Sequence, residues 1–233
     1  VKILPGFLYL WISLASLPAG AAEPWRTAIA GMPLGTNIAE LNRTNCVAIL
    51  LPALRSNDVV KALIFMPGAT DEFYLFRRAH AALTNQSPTL LDAIDALTNQ
   101  TRIRATFRAP MLLLHTIEYP LQPVFEIRHP DTAARLRQAR FLPHAVYHDR
   151  DWDFLVPILE DRLDFDFTPV RFSPSSFHFY RHSFAAWNLN GWETLEAVAL
   201  AGKTRFKIAR KQVDFEPDRR VLGNAPMDGF PPR

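Results

Sequence analysis

The chain has 233 residues, 48% of them hydrophobic and 21% charged, a balance that belongs to a folded protein and excludes an extended disordered one. Its formal charge of +3 is thinly spread, which argues against a nucleic-acid partner, since that would need a clustered basic face. The lone cysteine, Cys46, excludes an internal disulfide; it lies in the apolar run 46–51 and reads as a buried thiol.

The first 21 residues read as an export signal. Lys2 supplies the positive start, residues 3–17 the apolar stretch, and Ala19-Gly20-Ala21 the small-residue cleavage pattern. The stretch is short for a span, which takes about 20 apolar residues, so membrane attachment is expected only if the signal stays uncleaved. Export to the periplasm or the outside is the expected location.

A first module is expected over 23–116. Apolar spacing predicts a helix over 37–54, bent or ended by Pro52, then a strand over 58–66 and a turn at Pro67-Gly68. Residues 72–83 read as strand. Ser87 as N-cap and Pro88 at the first helical position predict a helix to about Thr98. Two short strands broken at Pro110 fill 102–115. Residues 117–140, with Pro120, Pro123 and Pro130, read as a linker carrying a short helix capped by Asp131.

A second module is expected over 141–216. A strand over 141–148 precedes a helix that Asp151 caps and that runs to Leu163 across Pro157. Alternation of Phe165 and Phe167 with Asp164 and Asp166 predicts a strand over 165–172, and a further strand covers 177–189. A helix over 191–201 and a closing hairpin around Arg210-Lys211 complete the module. The tail 217–233 has four prolines and no periodicity and reads as disordered.

The two halves echo one another at an offset of about 105 residues. Leu51-Pro52-Ala53-Leu54 is answered by Val156-Pro157-Ile158-Leu159, Phe73-Tyr74 by Phe179-Tyr180, and Leu91-Asp92-Ala93-Ile94 by Leu195-Glu196-Ala197-Val198. The expected architecture is therefore α+β: two tandem similar modules, each a small sheet with two helices, of split βαβ, ferredoxin-like type. Apolar residues on both faces of the strands call for a cover on each side.

Chemistry was sought in several places. Gly-x-Ser-x-Gly, His-Glu-x-x-His, cysteine pairs and a Gly-rich phosphate loop are all missing from the sequence, so no catalytic residue and no cofactor is assigned. His144, His148, His178 and His182 occur as two pairs spaced by four and are the metal candidates, with surface or partner-contacting histidines as the plainer reading. The aromatic strip 177–184 is the most unusual local composition. Phe177, Phe179, Tyr180 and Arg181 are candidates for partner contact, with core packing as the alternative.

The stretch 188–198, followed by Lys203-Thr204-Arg205-Phe206-Lys207-Ile208 and Val213-Asp214-Phe215, resembles the short N-terminal modules of secretins and TonB-dependent receptors. Residues 90–103 fit the same pattern. The resemblance implies a periplasmic module that contacts an envelope protein and carries no catalysis. The expected function is protein interaction or envelope assembly, by strand addition or helix docking. A small periplasmic enzyme or metal-binding protein built on the second-module histidines and acids is the alternative. The sequence leaves the oligomeric state open.

Overall fold

The computed structural model describes residues 23–35, 38–42, 44–66, 80–115, 121–169 and 181–218. The expected signal, the Pro67-Gly68 turn and most of the 72–83 strand lie outside them, as do Phe177, His178, Phe179 and Tyr180.

The described helices are α1 (Pro24–Ala30), α2 (Cys46–Ala53), α3 (Leu90–Gln100), α4 (Pro130–Gln138), α5 (Trp152–Leu163) and α6 (Gly191–Ala201). The strands are β1 (Glu40–Leu41), β2 (Ala62–Phe65), β3 (Ala81–Ala82), β4 (Arg104–Arg108), β5 (Met111–His115), β6 (Phe125–Ile127), β7 (Arg140–Arg150), β8 (Asp166–Pro169), β9 (His182–Asn190), β10 (Thr204–Ile208) and β11 (Gln212–Pro217). The α+β class holds.

The strand order corrects the expectation of one small sheet per half. The larger sheet runs β4-β5-β2-β9-β7 and so draws strands from both halves. β2 pairs with β5 in parallel and with β9 antiparallel, Phe65 standing opposite both Leu114 and Ser183. A four-stranded sheet, β6-β10-β11-β8, lies wholly in the second half. β1 and β3 form a separate pair.

Strand alternation explains why the larger sheet needs a cover on each face. Leu63, Phe65, Leu112, Leu114 and Ala185 face a core built with α1, α2 and α3. Ala62, Ile64, Met111, Leu113, Phe184 and Ala186 face the other core, with α5, α6 and the inner residues Phe206, Ile208, Val213 and Phe215 of the smaller sheet. The chain itself thus covers both apolar faces. α6 packs on both sheets and is buried nearly all round, as a helix flanked by two sheets must be. Its first residue, Gly191, is needed small, because a Cβ there would come within 3.0 Å of Leu136 and Leu163.

Local chemistry moves several boundaries. The 37–54 helix shrinks to Cys46–Ala53 because the Asn42 side chain accepts from the Thr44 and Asn45 backbone, holding a polar turn, and because Glu40 and Leu41 pair with β3. Thr89, not Ser87, caps α3: its hydroxyl accepts from the Asp92 amide at 3.2 Å and the Asp92 carboxylate accepts from the Thr89 amide at 2.8 Å. Three residues after Ser87 stands Leu90, which has no acceptor to reach back. Pro130 takes the first position of α4, so Asp131 lies in its first turn and His129 precedes it. The linker contains strand β6, and β11 continues through Pro217 into the stretch read as tail.

Candidate functional site

The polar centre of the second half lies where β7 ends, α5 begins and β9 starts. Arg150 pairs with His182 across β7 and β9, and Asp151 caps α5 by accepting from the Phe154 amide at 3.1 Å. Arg181 ties this corner together, donating to the Asp149 carbonyl at 3.2 Å and lying 3.5 Å from the Asp151 carboxylate. The Asp149 amide donates to the Ser183 hydroxyl.

His182 is completely buried, with its ring edge-on to Trp152 at 4.6 Å between centroids. Nδ1 lies 3.0 Å from the Arg150 carbonyl, which can only accept, so Nδ1 carries the proton and Nε2 the lone pair. Nε2 has no hydrogen-bond partner among the described residues. It points at Gly202, where a Cβ would stand 2.2 Å away. Burial pushes the imidazole down to about 4, against smaller upward effects of the Arg150 hydrogen bond and the Asp151 charge. A neutral ring whose lone pair is walled by backbone packs the corner and cannot reach solvent chemistry. Beside it, burial draws the Lys203 ammonium down to about 8.

The three described metal candidates lie apart from one another. His144 is exposed and stacks on Trp187 at 4.0 Å, while His148 is exposed near the other end of β7. His144 stands opposite Trp187, five residues along β9 from His182, roughly 17 Å away at strand rise. Among the described residues no group of three or more His, Cys, Asp or Glu could hold a metal ion. His178 lies outside them. Arg181, expected at a partner surface, is used within the corner.

The surface features of interest are sheet edges, which no local sequence motif marks. β4 ends the larger sheet, and no described strand pairs with its outer side. Along that side runs a groove of about 320 Å³ lined by Glu23, Pro24 and Trp25 from the start of α1 and by Ala105, Thr106 and Phe107 of β4. Trp25 is held in place by its indole N–H, which donates to Glu23 at 2.8 Å. Arg102 and Arg104 are exposed at the start of the edge. Arg108 lies 3.4 Å from Glu196, and its Nη1 is buried without a hydrogen-bond partner among the described residues. The only sequence signal of this edge is the run of Arg102, Arg104 and Arg108 around Phe107, which matches no catalytic motif.

The smaller sheet ends in β6, whose three residues are all exposed. Phe125, 41% exposed, meets Trp192 edge-on at 4.9 Å, and Arg137 lies over the same Trp192 ring at 4.2 Å. The outer face of this sheet is charged: Glu216 accepts from Lys207 at 2.6 Å and from Arg205, and the Lys207 hydrogen bond leads in holding its carboxyl below the usual range. Among the described residues no helix is long and apolar enough to cross a membrane. No known family model, curated protein or solved structure matches the chain.

Proposed function

We propose that this chain is an exported, non-enzymatic protein-interaction module of the cell envelope that works by presenting open sheet edges. The observation that carries the reading is the outer side of β4, which no described strand pairs and which is bordered by the groove at Trp25 and Phe107. An unpaired strand offers a row of backbone donors and acceptors, and adjacent pockets select side chains, which is how extended segments are recognised by strand addition. The burial of His182 and the distance of His144 from it weigh against the alternative of a histidine-based metal or enzyme site. The leader-like first 21 residues support export, and the resemblance to the modules of secretins and TonB-dependent receptors supports an envelope partner.

The test is capture of partners from an envelope extract on the full chain, with quantitative mass spectrometry and with Ala105→Pro as control. The reading expects one envelope protein retained in stoichiometric amount by the wild type and lost with the variant. Equal retention by both, or stoichiometric metal in the purified chain with no partner, would overturn it.

A further inference from the structure

The two halves share one sub-arrangement, a strand, an 11-residue helix and a hairpin, although the strands between differ: β3 pairs with β1, whereas β9 pairs with β2 and β7. In the first half β2 is followed, after β3, by α3 and then by the β4–β5 hairpin, with β5 parallel to β2 and β4 antiparallel on its far side. In the second half β8 is followed by β9, which joins the larger sheet, then by α6 and the β10–β11 hairpin, with β11 parallel to β8 and β10 antiparallel on its far side. α3 and α6 each span 11 residues and each begins with a reciprocal capping box. β10 and β4 are therefore counterparts. The outer side of β10 is taken by β6, which runs parallel to it with Phe125, Glu126 and Ile127 opposite Phe206, Lys207 and Ile208. The outer side of β4 has no such strand among the described residues.

We propose that the open side of β4 is completed, in parallel, by an extended segment of a partner protein in which apolar residues alternate with carboxylates. The inference rests on the interaction reading above and names the partner's chemistry. β6 supplies the pattern: Phe125, though partly exposed, meets the Trp192 and Phe206 rings, Ile127 shares its side of the strand, and Glu126 between them stands opposite the cation Lys207 while accepting from Arg128. β4 offers the same complement. Trp25, Ala105 and Phe107 give apolar walls. Arg102 and Arg104 are exposed cations with no ion pair among the described residues, and Arg108 keeps an unused buried N–H for a carboxylate or carbonyl oxygen. Carboxylates are the groups that answer several arginines in a row, through charge-assisted hydrogen bonds. A lysine-bearing strand would be repelled by the same edge.

The experiment is an NMR titration of the isotopically labelled full chain with two blocked peptides, one alternating valine and glutamate and one alternating valine and lysine. The expected result is saturable binding of the glutamate peptide, at least tenfold tighter than the lysine peptide. Shifts should concentrate at the Ala105, Thr106 and Phe107 amides and at the Trp25 indole N–H. The exposed double variant R102E/R104E, which leaves the core untouched, should reverse the preference. Equal affinity for the two peptides, no binding of either, or shifts confined to β6, β7 or β8 would overturn the proposal. In the last case strand addition would stand and only the edge would be wrong. Stoichiometric capture of a partner without any effect of the β4 variants would likewise spare the interaction reading and remove this one.

Discussion

Gly202 and His182 show how one residue fixes another. The φ of Gly202 is −94°, which any residue adopts, so its identity is set by the imidazole that occupies the place of a Cβ. Gly202→Ala should cost about 2 kcal/mol, in the range of overpacked cores, by urea denaturation. Adding His182→Ala should make the pair less unstable than the sum of the two single changes, because the clash disappears with the ring. The same burial makes stability depend on pH. The folded imidazole titrates at about 4 against 6.5 in the unfolded chain. In that interval the unfolded chain takes up a proton that the folded one refuses, so stability is complete above about 6.5 and falls as pH drops toward about 4. The loss is about 3 kcal/mol at about 1.4 kcal/mol per unit. His182→Phe keeps a ring of similar shape and should remove this slope from the difference between the two proteins, measured by denaturation across the window.

At the scale of elements, the helices were legible where the cap could be read without ambiguity. Asp151 marked α5 directly; α6 was legible from the run 191–201, and the Asn190–Glu193 capping box that starts it emerges only in the structure. α3 was placed correctly in kind, but its start was given to Ser87, since a Ser-Pro pair masks the better Thr89–Asp92 box. Thr89→Ala should therefore cost about 1 kcal/mol in equilibrium unfolding while Ser87→Ala costs little. β6 was not legible: three residues between prolines show no period, and they become strand only because the edge of β10 is there to pair with. α1 was missed for a related reason, being a seven-residue helix with no side-chain cap, held by burial of Trp25 and Ile29. Of the candidate site, the histidines stood out by spacing, which says nothing of burial. The β4 edge could not be seen, because an open edge is a property of the whole sheet.

At the scale of the molecule, the shared five-stranded sheet has a thermodynamic consequence. β2 holds β5 of its own half on one side and β9 of the other half on the other. Neither half can lose its strands without exposing the two apolar faces of the sheet. The chain should therefore unfold in one cooperative transition, with fluorescence and far-ultraviolet circular dichroism giving coincident curves, where two independent modules would give two steps. In the same sheet β4 carries a groove on a side that no described strand pairs, and the proposed interaction belongs to that edge. The most direct measurement is hydrogen exchange of the full chain, alone and with its captured envelope partner. The account expects β4 amides to exchange faster than those of β5 in the free chain and to become protected on binding. Protection elsewhere with β4 unchanged would contradict it.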